Sequence, residues 1–258
     1  MLDAGSLSAL HLILAVAVMA LAGFVHGALG LGFPLVATPL LALFTDIKTA
    51  IVFTVVPTLT AIVISLARGG RPAQVIRAYW MLPLYMIAGS YVGARLLIAV
   101  DPAPFLLLLA LLILAYLNLQ RLRGLAAGWI GAHPRAARAA FGLVAGVFES
   151  AANVAGPVLL IFFLSTPLPP LALVQALNLC FLAGKSTQGL TLALAGGIPG
   201  GVWLSTLPFA AVGAAGLFWG MRVRDRIDAD TYRGWLRRAL WVIAALLIGQ
   251  FLWRVAGA

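Results

Sequence analysis

The sequence predicts an all-α polytopic membrane protein built from two inverted repeats, each with a Gly/Pro-broken helical segment and three transmembrane spans. Three observations carry this reading. Of 258 residues, 63% are hydrophobic and 9% charged, at a mean hydropathy of +1.08, which leaves too little polar side chain to cover a soluble globule of this size. A phrase punctuated by glycine and proline occurs twice, AGFVHGALGLGFPLVATPLL from Ala22 to Leu41 and AGVFESAANVAGPVLLIFFL from Ala145 to Leu164. The basic residues, which give a net charge of +10, sit in short stretches between apolar runs, where they orient a membrane protein rather than bind nucleic acid.

The two phrases define the repeat. Gly23 and Gly146 lie 146 − 23 = 123 residues apart, and the same offset pairs Ala22 with Ala145, Ala28 with Ala151 and Pro34 with Pro157. Further on, Gly89-x3-Gly93-x-Arg95 followed by Asp101 is answered, 127 residues later, by Gly216-x3-Gly220-x-Arg222 followed by Asp228. Duplication accounts for both, with 1–123 as the first repeat and 124–258 as the second within one integral membrane domain. In the first phrase Gly27, Gly30, Gly32 and Pro34 interrupt an apolar helix pattern. Glycine permits the positive φ of a tight turn, and proline suits the first turn of the helix that restarts. The free N–H groups of the new helix point back at the turn, and such an end can hold an anion without a charged side chain.

The first apolar run, from Leu7 to His26, follows Asp3 with no basic residue before it, which argues for a mature helix rather than a cleaved signal peptide. A short helix from Pro34 to Phe44 closes the unit; it is too short for a hydrocarbon core that needs about 20 residues. Spans follow at Thr49 to Ala67, kinked at Pro57, and at Tyr79 to Leu97, where Gly89 and Gly93 form a small-xxx-small packing pair. A Leu-rich span runs from Ala103 to Leu119, and the stretch with Gly124, Gly128, Gly131 and Pro134 reads as the internal linker. The second repeat gives a broken segment from Ala139 to Ser165 and spans at Leu171 to Leu194, Val202 to Met221 and Ala239 to Val255, with an interfacial stretch from Arg222 to Arg238 before the last. Cys180 stands alone in an apolar segment, so there is no disulfide framework.

Charge decides how the broken segments run. If each crossed once, the Lys and Arg residues outside the spans would divide eight against eight. If each returns to the side it entered from, thirteen collect on one face, from Arg68, Arg71 and Arg77 through Arg135 to Arg238, and Lys48, Arg95 and Arg254 remain on the other. The positive-inside rule selects the second arrangement. It puts both termini outside and gives each repeat an odd number of crossings, so the two are inverted.

The ionisable residues of the broken segments, His26 and Glu149, occupy equivalent positions at the offset of 123. An inverted two-fold brings them towards each other near the midplane, as a pair lining a substrate path or relaying protons; the other reading is two helix-end groups satisfied by local backbone. Lys185 lies mid-span, where a lysine costs roughly 2.5–3.5 kcal/mol on insertion scales, so it should not face lipid. Asn178 and Gln188 share its helical stripe. The lysine is either the cation of an anion site, with Glu149 modulating it, or half of a structural ion pair with Glu149. Thr54, Thr58 and Thr60 on the equivalent span of the first repeat offer hydroxyl donors. With the restarts at Gly30, Gly32 and Pro34 and at Asn153, Gly156 and Pro157, these residues make a midplane pocket for a small oxyanion.

The doubled Gly-rich break, the Gly-x3-Gly-x-Arg that follows in each half and the overall size resemble the sulfite exporter TauE/SafE family, within the toluene-sulfonate uptake permease group. The resemblance covers nearly the whole chain. It implies a bacterial inner-membrane carrier for sulfite, sulfonates or related sulfur oxyanions. The family's Gly-rich signature falls on Gly23, Gly27, Gly30, Gly32 and Pro34 in the first repeat and on Gly146, Gly156 and Pro157 in the second. The run of glycines is thinned here to Gly30-Leu31-Gly32-Phe33 and replaced by Asn153-Val154-Ala155-Gly156.

Two rival functions are an anion channel, which uses the same helix ends, and an intramembrane hydrolase built on Ser150, Glu149 and His26. The hydrolase reading lacks a Gly-x-Ser-x-Gly turn and a His-Glu-x-x-His motif, and three histidines with one cysteine give no metal site. The expected partners are a small anionic substrate and the lipid bilayer, with a proton or sodium as coupling ion; no cofactor and no nucleic acid are expected. Substrate identity, transport direction and a homo-oligomeric state are left open.

Overall fold

A computed structural model of the chain describes residues 9–69, 72–101, 103–195, 198, 200–223, 238, 241–242, 244–249 and 251–253. Every regular element among them is a helix. The first half contains α1 (Ala9–Leu29), α2 (Phe33–Ala42), α3 (Ile47–Arg68), α4 (Pro72–Tyr79), α5 (Met81–Ala99) and α6 (Ala103–Leu117). Then come α7 (Leu119–Ala132), α8 (Pro134–Ala152), α9 (Gly156–Leu164), α10 (Pro170–Ala195), α11 (Gly200–Ser205) and α12 (Leu207–Val223). A short apolar helix, Ala244–Trp253, lies within the last expected span; most of the expected interfacial stretch, 224–237, falls outside the described residues.

Local chemistry explains the breaks. α1 closes with the Gly30 N–H donating to the His26 carbonyl at 2.7 Å, and α8 closes with the Asn153 N–H donating to the Glu149 carbonyl at 2.9 Å. Gly30 and Asn153 are equivalent residues, 153 − 30 = 123 apart, and both lie in the left-handed region, at φ 78° and 59°. Glycine reaches that region freely, and asparagine is the usual second choice at a helix end. Gly32, at φ 108°, then starts α2, and Pro34 and Pro157 occupy the first turns of α2 and α9, where no N–H is needed. α3 begins where the Asp46 side chain accepts the Thr49 N–H at 3.0 Å.

Among the described residues, four stretches are long and apolar enough to cross a bilayer: α1, α3, α5, and α11 with α12 taken together as 24 residues. α6 and α7 make a fifth if counted as one span bent by 81°. Side chains such as Leu10, Ile13, Val63, Leu84, Leu190 and Trp219 are more than half exposed on the outside of the bundle, as expected of a surface that meets lipid tails. The molecule is a multi-pass membrane protein.

Two elements, the linker and α6, differ from the sequence expectation, while α10 keeps the expected bounds. The expected linker is helical: α7 runs straight through Gly124, Gly128 and Gly131, none of which has an atom within 4 Å of where a Cβ would sit, and only a single residue, His133, separates it from α8. Glycine lowers helix propensity without forbidding the helix, and the composition misled. α6 has only 15 residues before it bends, so it falls short of a hydrocarbon core by itself. α10 is a single helix of 26 residues, long enough to span, but its polar stripe makes it less apolar than the spans named above.

The two halves exchange partners. The first part of each broken segment packs on the Gly-x3-Gly helix of the opposite half, α1 on α12 and α8 on α5. A Cβ at Gly216 or Gly220 would run into the Ala20 or Phe24 carbonyl oxygen; one at Gly89 or Gly93 would meet the Leu143 or Val147 carbonyl oxygen. The pairs correspond, since 143 − 20 = 147 − 24 = 123 and 216 − 89 = 220 − 93 = 127. The contact is therefore reciprocal at the level of individual residues. Each of the two buried cores accordingly draws on both halves, Met19 with Leu217 in one and Met86 with Ala145 in the other.

Candidate functional site

The second break holds a fully buried charge cluster. Lys185 reaches it from the middle of α10, and Gly184 beside it keeps that helix close, since a Cβ there would lie 3.1 Å from the Glu149 Cγ. The Lys185 Nζ stands 2.8 Å from Glu149 Oε1 and donates to Asn153 Oδ1 at 2.7 Å and to Gln188 Oε1 at 2.9 Å. An ammonium has three protons, and these three acceptors match them. Glu149, Asn153, Lys185 and Gln188 are all 0% exposed. The pair of Lys185 and Glu149 that the sequence left as one of two readings is thus formed.

Each neighbour is itself held. Glu149 Oε2 accepts the Ala155 N–H at 3.3 Å, just before the first turn of α9. Gln188 Nε2 donates to the Ser150 carbonyl and to Asn153 Oδ1, both at 2.9 Å. Asn153 Nδ2 donates to Thr54 Oγ1 at 2.7 Å and Thr38 Oγ1 at 3.0 Å, which ties the second break to α3 and α2 of the first half. The tie runs the other way too: Asn178 Nδ2 on α10 donates to the Gly30 carbonyl at 2.9 Å. Each break is therefore bound to a long helix of the opposite half. Asn153→Gly keeps the left-handed turn and removes the amide; a loss of about 1–3 kcal/mol is expected, read as a lowered midpoint of thermal unfolding in detergent.

His26 and Glu149 do not join. His26 Nε2 lies 3.0 Å from Ser65 Oγ on α3, and its Nδ1 accepts the Phe33 N–H at 3.4 Å, which puts the ring proton on Nε2. Glu149 is occupied by Lys185 and Ala155. The physical reason is local: in both breaks a side chain from the last turn of the first helix accepts an N–H at the restart, six or seven residues on. That is the backbone-satisfied alternative, and each group has one further partner on the span that follows.

The remaining expected residues divide into two places. Gly32, Pro34, Asn153 and Gly156 line a small cavity between the two breaks, closed by Tyr116 and Phe181. Its accessible volume, about 10 Å³, is that of a single water. Pro157 is buried in the first turn of α9, outside that lining. Asn178 serves the first break although it shares a helix with Lys185. Sequence reasoning missed Thr38 and Ser65. Ser65 had a signal, because 188 − 65 = 123 makes it the counterpart of Gln188; Thr38 had none, since its counterpart is Ile161. No group of three or more His, Cys, Asp or Glu residues that could hold a metal occurs among the described residues.

Reciprocally packed broken helices, one of them holding a buried cation, in a chain with an apolar exterior, are the architecture that repeat-built membrane transporters use. The chain belongs to the sulfite exporter TauE/SafE family, whose model matches residues 15–251, nearly its whole length. Membership implies membrane transport or export of sulfite-like anions. No curated protein and no solved structure matched the chain.

Proposed function

We propose that the protein is a secondary carrier of the bacterial inner membrane that binds a small sulfur oxyanion, sulfite or a sulfonate, near the midplane between its two broken segments. The observation that supports this most is the Lys185 ammonium, fully buried, beside the restart of α9 and the cavity between the breaks. A cation at that depth that faces no lipid marks a substrate path more often than a surface anchor. Lys185 is the main side-chain cation of the site. Gly32, Pro34, Asn153 and Gly156 line its two walls, Gly30 and Pro157 belong to the two breaks beside it, His26 and Glu149 stand at the helix ends, and Thr54, Asn178 and Gln188 fix the breaks. The cavity has room for about one water, so an oxyanion would need it widened, as alternating access would do.

A thermal-shift screen of the purified protein against sulfite, sulfate, thiosulfate, small sulfonates and carboxylates tests the reading. A substrate at a hundredfold excess over Kd raises the apparent stability by about 2.7 kcal/mol. Stabilisation by carboxylates alone, or by none of these anions, would overturn it. In proteoliposomes, uptake stimulated by substrate preloaded inside is expected of the carrier; its absence would favour an anion channel.

The reciprocal packing of the halves supports an inverted two-fold, and the thirteen-to-three distribution of basic residues supports an orientation with both termini outside. Alkaline phosphatase fused after Ala258 is then expected to be active and green fluorescent protein dark. The opposite pair of results would put the C-terminus inside and remove the inverted arrangement.

A further inference from the structure

We propose that the Glu149 carboxylate is a built-in stand-in for the transported anion: a monoanion takes its place on Lys185 and the Ala155 N–H as Glu149 takes up one proton. This rests on the anion-carrier reading and adds to it the coupling ion and the charge type of the substrate. The carboxylate already lies on both elements that would hold an oxyanion, with Oε1 2.8 Å from the lysine Nζ and Oε2 3.3 Å from a backbone nitrogen at the α9 restart. Three acceptors already surround the ammonium at 2.7–2.9 Å, so an incoming anion takes the place of one of them. Asn153 and Gln188 are neutral and tied by their amide nitrogens to Thr38, Thr54 and the Ser150 carbonyl. Among the described residues Glu149 carries the only negative charge in contact with Lys185, and its departure makes room for another.

Charge then dictates the proton. Leaving as a carboxylate, Glu149 would put two negative charges against one positive charge in a buried site, which costs several kcal/mol per uncompensated ion. Leaving as a carboxylic acid, with one proton taken up from the bulk buffer along with the anion, keeps the site neutral before and after. An alkanesulfonate or hydrogensulfite matches this one-for-one exchange, and a dianion does not.

Among the described residues of the helices packed on α8, the buried titratable groups are Lys185 and Cys180, both on α10. α9 has none; α5 carries Tyr91 and Arg95, both exposed, and a half-buried Tyr85. α6 carries a half-buried Tyr116, and α7 carries Arg121 and Arg123 in its first turns. On α8 itself Arg135 and Arg138 lie in the first turns, at the far end from Glu149. α10 contributes Lys185 and the thiol of Cys180. The other buried titratable group of the breaks, His26, contacts Ser65 and Phe33.

The test uses methanesulfonate, a monoanion that does not titrate near neutral pH, and the intact wild-type protein. Calorimetric titration in two buffers of different ionisation enthalpy counts the protons taken up. One proton per anion is expected, with affinity falling about tenfold per pH unit on the alkaline side. Sulfate is expected to bind more weakly. Glu149→Gln is expected to bind methanesulfonate without proton uptake and with an affinity independent of pH. Wild-type binding with no proton uptake and no pH dependence would overturn the inference and leave the carrier reading standing. Proton uptake that persists in Glu149→Gln would assign the proton to another group, and the inference would fail. If neither protein binds methanesulfonate, the anion site itself is misplaced and both readings fall. The wild-type proton count needs no variant, so a Glu149→Gln protein that does not fold leaves the test intact.

Discussion

Replacing Lys185 by Met is expected to abolish anion binding and to lower the stability of the folded protein by about 3–5 kcal/mol, the cost of breaking one half of a buried ion pair. The substitution keeps the length of the side chain and removes the charge. Glu149 is then left without its cation, and the Asn153 and Gln188 oxygens lose a donor. Adding Glu149→Gln removes the stranded charge, so the double variant should regain most of the stability without regaining binding. Unfolding midpoints of the wild type, both single variants and the double variant close the cycle, and the coupling between the two positions is read from their non-additivity. Anion binding at normal affinity in Lys185→Met would remove this residue from the site. A Lys185→Met protein as stable as the wild type would mean that the pair contributes nothing to folding.

The second large effect is expected at the exchanged helix contacts. Gly89→Val and Gly216→Val each drive a side chain into a backbone carbonyl of the facing helix, Leu143 in one case and Ala20 in the other. A helix backbone cannot move aside as a side chain can, so each should cost about 3 kcal/mol or more, the upper end for overpacking. The two losses should be alike, because the contacts are equivalent. Gly128→Val is the control, since nothing lies within 4 Å of its Cβ position; a change within about 0.5 kcal/mol is expected there. The yield and unfolding midpoint of the purified variants measure all three. A tolerated valine at Gly216 beside a destructive one at Gly89 would show that the two contacts are not equivalent in energy.

What could be read from the sequence follows from what is periodic or costly. The breaks at Gly30 and Asn153 were visible because the repeat is, and a left-handed turn leaves glycine or asparagine as its signature. Lys185 was visible because a charge at that depth needs a partner. The identity of the partner was not fixed, since Glu149 ends one helix and Lys185 sits mid-way along another, and only the packing of α8 against α10 brings them together. Gly89, Gly93, Gly216 and Gly220 announced close helix contacts without saying with what. The repeat offsets state which residues are equivalent, but not that each Gly-x3-Gly helix packs on the broken segment of the opposite half, Gly89 on Leu143 and Gly216 on Ala20. The same blindness to tertiary context produced the expectation that His26 and Glu149 meet. α7 was read as a linker because its glycines and arginines resemble a loop, although it is a surface helix that packs on α9 and buries Ile130.

The exchange of α1 onto α12 also sets a timetable for synthesis. Gly89 is followed by its partner Leu143 after 143 − 89 = 54 residues, but Ala20 must wait 216 − 20 = 196 residues for Gly216. At about 5–20 residues per second, that is roughly 3–10 seconds for the pairing of α5 with α8 and roughly 10–40 seconds for that of α1 with α12. The N-terminal helix enters the membrane first and reaches its final neighbour last. Throughout that interval the face of α1 bearing Gly23 and Gly27 lacks the α12 backbone that covers it in the finished protein. The half of the chain made first is thus completed by the half made last, so a ribosome that stalls after the first repeat leaves an insertion intermediate with its core unfilled.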